Sequence, residues 1–457
     1  MLDSCSRQVI HSETTELSMS VDLEPSARTE KTVLRPHIVF PGLAFTLPIL
    51  SVLGPSIIWI LAAAAALIGA AMSLIQRRKV SLPSYGILAA VVLLVIWAAI
   101  TMQWSPSQGR TQHVLTNIVM FIVGGLFLIS LARNCSAGEQ RVIGKALIAG
   151  FATAITFILI EFVLDAPVSR LLNGDEGAGS YGLAFFNRAS GLIALLAWTL
   201  VLVAQRQAGT LFAFGALLAC IVILAILNSS APLLALLVAS LAAALVLAVP
   251  GIAIWVIGLA TVISIALLPM WTIWAPDIAD YLRAIGHVDQ GINHRLAIWE
   301  FAANRVIDKP ISGWGLDAAR AIPGGRETFD LQVNIDGDTT PGEFLPLHPH
   351  NGFLQIWLEL GLPGILLIGF VTLAALRAIH KHVRRRFEKA CAAATCVAGI
   401  LLFELSFGAW QGWWQATLWV AAALTIAVVT RPMERESCYS ATRDRSAASG
   451  IAGHRRR

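Results

Sequence analysis

Stretches of roughly 20 apolar residues, the length a helix needs to cross a bilayer core about 30 Å thick, recur along nearly the whole of this chain with almost no charge inside them. A water-soluble domain carries about a quarter charged residues, whereas this chain is 56% hydrophobic and 13% charged, with a mean hydropathy of +0.71. Its solvent is therefore lipid. Inside lipid every backbone N–H and C=O must be bonded within the chain, which leaves helices and closed barrels. Continuous apolar runs, rather than alternating ones, exclude the barrel. The sequence predicts an all-α, polytopic membrane protein.

The runs predict about twelve transmembrane helices, at roughly 38–54, 56–75, 82–104, 112–131, 142–164, 183–204, 209–228, 231–249, 251–274, 350–376, 390–409 and 412–430. The first is short and carries Pro41 and Pro48, which predicts a kink. Residues 1–36 form a polar tail without the apolar core of a secretory signal, expected to be disordered and cytoplasmic. Residues 37–274 hold helices one to nine, 275–349 a large periplasmic loop, 350–430 helices ten to twelve, and 431–457 a basic cytoplasmic tail. Orientation follows from where Lys and Arg collect, since short cytoplasmic loops retain them. With the amino terminus inside, that side gathers Arg77, Arg78, Lys79, then Arg133, Arg141, Lys145, then Arg206, and finally Arg377, Lys381, Arg384, Arg385, Arg386 and Lys389, together with both tails. The expectation is a multi-pass membrane protein with both termini cytoplasmic and the long loop outside. The net charge of +5 thus resides in topology signals between spans, and no nucleic acid is expected as a partner. Cysteines 5, 135, 220, 391, 396 and 438 all avoid the long loop, so free thiols are expected; Cys391 and Cys396 lack zinc-site spacing.

Chemistry is expected in the loop, because a long hydrophilic insertion in such a chain is usually functional. The segment from Arg295 to Val306 has helical spacing around Leu296, Trp299 and Ala303, stops at Pro310, and places Trp299 to meet the headgroup level. The pairs Gly313, Gly315 and Gly324, Gly325 mark tight turns. His348-Pro-His350-Asn351-Gly runs from the loop into an apolar helix, putting an imidazole suited to proton transfer near neutrality at the membrane edge. The competing reading is an interfacial cluster in which Asn351 caps the helix. Arg188 opens another apolar span; it either snorkels or serves chemistry, and the topology puts it on the same side as Arg295 and His350. A guanidinium pairs bidentately with phosphate oxygens, so two of them on one face suit a diphosphate. A polyprenyl diphosphate fits this setting, its tail in lipid, its diphosphate at headgroup depth and its sugar in the polar loop. Sugar nucleotides are disfavoured as donors because they are cytoplasmic. Asn334, Asp336 and Asp338 read as a solvated turn or a fragment of a cation loop whose full pattern is missing. Glu161, Glu359 and Glu404 lie within apolar spans, where carboxylates are costly. Glu359, nine residues beyond His350, is expected to brace helix packing.

These residues resemble the O-antigen ligases and the related O-antigen and exopolysaccharide polymerases of Gram-negative inner membranes. The resemblance covers the twelve-span plan, the large late periplasmic loop and three motifs. His350-Asn351 followed by Gly361 and Gly364 is similar to the family's His-Asn and double-glycine pattern. Arg295, with Trp299, Pro310 and Gly313-Trp-Gly315, looks like its loop arginine, and Arg188 like its membrane-edge arginine. Ile365, Leu366 and Leu367 stand where many ligases have small residues.

The resemblance implies a metal-independent glycosyltransferase without a cofactor. Its donor would be an undecaprenyl-diphosphate-linked glycan, and its acceptor a lipid A core sugar for a ligase or a growing polysaccharide for a polymerase. His350, Arg295 and Arg188 would be catalytic, with His348, Asn351 and Trp299 contacting substrate. A transporter or flippase is the rival class; it predicts buried charge near mid-membrane rather than a motif-bearing loop.

Overall fold

A computed structural model describes residues 36–77, 80–164, 167–173, 186–286, 289–332, 334 and 337–429. Both polar tails, Cys5, Cys438 and Asp336 lie outside these residues. Each of the twelve apolar runs falls on a helix, as backbone in lipid requires. They are α1 (Val39–Leu53), α2 (Ile58–Ile75), α3 (Tyr85–Thr101), α4 (Gln108–Ala132), α5 (Ala137–Val163), and, after the short α6 (Pro167–Asn173), α7 (Asn187–Ala208). The series continues with α8 (Thr210–Ile226), α9 (Ser230–Ala248) and α10 (Pro250–Leu267). Beyond the loop helices α11 (Trp271–Ala284) and α12 (Gln290–Asp308) come α13 (Gly352–His382), α14 (Arg386–Leu405) and α15 (Gly412–Val429). Among the described residues nine helices are long and apolar enough to cross a membrane, and α1 and α8 are shorter apolar ones. The molecule is an all-α polytopic membrane protein.

Helix α7 is the axis. It is buried along most of its length and packs on α1, α5, α8, α9, α14 and α15. Polar groups inside it are matched rather than absent: the Thr199 hydroxyl lies 2.8 Å from that of Thr425 and 3.2 Å from that of Thr395. The outer helices instead turn large side chains such as Leu67, Met120 and Trp255 outward, where a soluble protein would bury them. A second apolar core joins α3, α11, α12 and the first half of α13.

The expected long loop is largely structured. Helix α10 passes through a single 3₁₀ turn, Leu268–Met270, into α11, and α12 begins at Asp289, whose carboxylate accepts the Ile292 N–H at 2.8 Å. An antiparallel hairpin, β1 (Thr328–Gln332) with β2 (Thr339–Glu343), follows. Its Phe329 stacks on Phe344, which stacks on Phe301 of α12. Between the strands, among the described residues, Asn334 and Asp338 bind each other: Asn334 Oδ1 accepts the Asp338 N–H, and Asn334 Nδ2 donates to the Asp338 carboxylate.

Helix α13 is broken at Gly361, where φ is 61° and ψ is −159°. Pro363 contributes no N–H, so the carbonyls around the break need other donors. The loop supplies them. The Leu358 and Glu359 carbonyls accept the N–H groups of Trp314 and Gly315, Leu360 accepts Trp97 Nε1–H, and Leu362 N–H donates to the Pro310 carbonyl. The approach is so close that a Cβ on Gly313 would stand 2.3 Å from the Glu359 oxygen, and one on Gly361 2.2 Å from the Ile311 oxygen. The loop's Gly-Trp-Gly and the helix's glycine are thus two halves of one joint. From Leu362 onward α13 still has the roughly 20 residues a crossing needs.

Candidate functional site

The joint holds the first nine residues of α13 rigid, and His350 stands immediately before them. Asn351 is the cap: it is buried and its Oδ1 accepts the Leu354 N–H at 2.9 Å. His350 itself sits at φ 54°, a left-handed conformation that costs energy in a non-glycine residue and collects at functional sites. Two contacts hold it there. Its N–H donates to His348 Nδ1 at 3.1 Å, and the preceding Pro349 carbonyl accepts Trp299 Nε1–H at 2.8 Å.

Hydrogen bonding separates the two histidines. The His348 ring is buried against Gly408, 4.4 Å from the His350 ring, with Gln411 Nε2 2.9 Å from its Nε2. A neutral imidazole accepts at one nitrogen only, and Gln411 Oε1 is buried without a partner. Turning the Gln411 amide over gives each ring nitrogen of a neutral His348 a fitting partner: Nε2–H donates to Oε1 while Nδ1 accepts from His350. Burial first, then the neighbouring His350 and Arg320, push the His348 pKa down to about 3, so it stays neutral with both nitrogens engaged. His350 differs. Its Nδ1 lies 3.3 Å from the Ser406 carbonyl, which can only accept, so Nδ1 carries the proton and Nε2 the lone pair. No described residue occupies Nε2. Burial, and after it the charge of Arg295, lower the His350 pKa from its ordinary value of 6.5.

Arg295 lies on α12, close enough to His350 to act on its titration. Burial lowers its own pKa and Asp289 opposes this, yet among the described residues it closes no ion pair. Arg188 reaches the same region from the first turn of α7. Its guanidinium lies 5.5 Å from the Trp413 ring, and Trp413 meets Phe407, the neighbour of Ser406. The site therefore draws on α7, α12, the start of α13 and the connection between α14 and α15. Trp299, expected at the headgroup level, is instead buried, its ring 4.6 Å from Trp271. It and Asn351 position the backbone around His350.

The connection 406–411 was not singled out by sequence, although Ser406-Phe-Gly-Ala-Trp-Gln-Gly-Trp-Trp414 packs polar and aromatic residues into a break between two apolar runs. Asp317 and Arg320 were missed too. Asp317 takes Arg110 at 3.4 Å and Arg320 at 3.9 Å, and its pKa is nevertheless raised, burial outweighing both cations. Glu359 ties this segment down. Fully buried, it accepts from the Asp317 and Ala319 N–H groups, Gln355 Nε2 and Trp410 Nε1. That is the bracing role expected of it. Among the described residues no three His, Cys, Asp or Glu side chains converge as metal ligands.

A polytopic helical membrane protein with a histidine and two open guanidiniums at one end of its bundle is the class these observations define. Residues 192–369 match the family described as O-Antigen ligase. A Rickettsia conorii protein named "putative polysaccharide ligase" is 27% identical over 78% of this chain and 82% of its own length. A Rickettsia felis protein of the same name is 26% identical over 68% and 74%. The chain is thus similar, over residues 192–369, to the family described as O-Antigen ligase, and over most of its length to proteins named as polysaccharide ligases.

Proposed function

We propose that this chain is a glycosyltransferase that moves a glycan from undecaprenyl diphosphate to a sugar hydroxyl, on the periplasmic face of a bacterial inner membrane with both termini cytoplasmic. His350 Nε2 takes the proton from the acceptor hydroxyl. The freed oxygen bonds to the anomeric carbon, the bond from that carbon to the diphosphate oxygen breaks, and the diphosphate leaves with the electron pair. Arg188 and Arg295 hold it and stabilise the charge it gains. The observation that carries this reading is the open lone pair of His350 Nε2 beside an arginine that closes no ion pair among the described residues. One general base contributes about 10²-fold to 10⁴-fold, and the arginines supply much of the remainder. The relatives' names, which say polysaccharide ligase, favour a ligase over a polymerase; the acceptor we propose for a ligase is a lipid A core sugar, and for a polymerase a growing polysaccharide.

The test is deletion of the gene, with gel analysis of lipopolysaccharide and of lipid-linked polymer. Loss of capped lipopolysaccharide with accumulation of lipid-linked polymer is expected. Single repeats on the core would make it a polymerase, and unchanged glycans would overturn both.

A further inference from the structure

Outside the catalytic cluster, a largely apolar groove of about 320 Å³ lies between α2, α4 and α15. It follows α4 from His113 to Leu128, about 22 Å at 1.5 Å per residue. Its lining combines small residues, Ala62, Ala63, Ala66 and Gly124, with the aromatic Trp59 and Phe121. Two features tie it to the site. Its lining includes Gly412, which follows the Gln411 that holds His348 and precedes the Trp413 beneath Arg188. Near the same end, His113 and Asn117 line it, 3.2 Å apart. Polar residues on an apolar span are costly and mark substrate contacts more often than packing.

We propose that this groove seats the polyprenyl chain of the lipid-linked donor, an inference that rests on the function proposed above. A diphosphate held by Arg188 over Trp413 puts the first isoprene units at Gly412, where the groove begins. From there the branched, unsaturated chain runs along the small residues toward Leu128 and packs against the aromatic ones. The groove thereby selects long carriers and holds the anomeric carbon at His350, so that remote binding energy is used at the reacting centre.

The experiment uses the full chain in nanodiscs and an undecaprenyl diphosphate carrying a diazirine midway along its chain. Labelled peptides are expected from α2, α4 and α15, with labelling suppressed by unlabelled undecaprenyl diphosphate and not by phosphatidylglycerol. Labelling elsewhere, or equal suppression by phosphatidylglycerol, overturns the proposal. Ala63→Phe and Gly124→Leu fill the groove and are expected to raise the KM ratio of an undecaprenyl carrier to a two-isoprene carrier by about tenfold or more, the scale of 1.4 kcal/mol of lost contact. An unchanged ratio in variants that are folded also overturns it. His350→Ala keeps the labelling pattern and loses transfer from both carriers; retained transfer there rejects the catalytic reading while the labelling still decides the groove.

Discussion

The two ends of α7 each carry an arginine, and the protein treats them in opposite ways. Arg206 is closed by the Glu388 carboxylate and the Val428 carbonyl. Arg188 is exposed, lies over Trp413 and pairs with no carboxylate among the described residues. The contrast repeats within the site, where Arg110 and Arg320 share Asp317 while Arg295, though half-buried, closes no ion pair among the described residues. A cation that holds helices together needs its counter-charge inside the fold, since an unpaired buried charge is strongly destabilising. A cation that awaits a phosphate must be left open. Under the function proposed above, pairing divides scaffold from substrate-facing groups more sharply than residue type does.

The comparison breaks if open and closed arginines respond alike to mutation. Arg295→Ala is expected to lower transfer by about 10²-fold to 10³-fold, the scale of losing one preorganised donor to developing charge, with thermal unfolding unchanged. It also removes the cation that disfavours imidazolium at His350, so the acid limb of the rate profile should move to higher pH. Lysine at 295 or 188 keeps the charge, loses the bidentate fork, and should rescue poorly; full activity in both lysine variants rules out that geometry. Arg206→Gln should do the reverse, costing about 1–3 kcal/mol of stability, reduced by the partial exposure of that pair, with kcat close to wild type in the folded fraction. Loss of transfer without loss of stability there would erase the distinction between the two ends.

Smaller effects sharpen it. His348→Ala takes the acceptor from the His350 N–H and should cost about 1–3 kcal/mol of local stability, with a partial fall in transfer. A complete loss equal to that of His350→Ala would make His348 part of the chemistry. Chelation should change nothing, because the proposed charge stabilisation comes from guanidiniums; loss in EDTA restored by a divalent cation would bring Asp338 and its neighbours into the site.

The helices were legible because lipid forces one solution on each apolar run. His350, Arg295 and Arg188 stood out as polar residues at membrane edges. What stayed hidden depends on contacts between distant parts of the chain. Gly361 and Gly313 read as glycines of two separate motifs until one is seen against the other, and Ser406 and Gln411 become meaningful only where they meet His350 and His348. The sequence set His350 apart from His348 by its place beside Asn351, but which carbonyl or amide each ring nitrogen faces was invisible there. The hairpin after α12 escaped notice because its strands are short and the residues between them resembled an acidic motif.

The most direct test of the central claim is the pH dependence of kcat/KM for purified wild type and His350→Ala in nanodiscs, with an undecaprenyl-diphosphate glycan as donor. A general base must be neutral, and His350 titrates below 6.5. Wild-type activity should therefore hold from neutral pH down past that value and then fall with the loss of one proton-accepting group. His350→Ala should be at least about 10²-fold slower and show no such limb. An acid limb that persists in a His350→Ala protein of near wild-type activity would contradict the account.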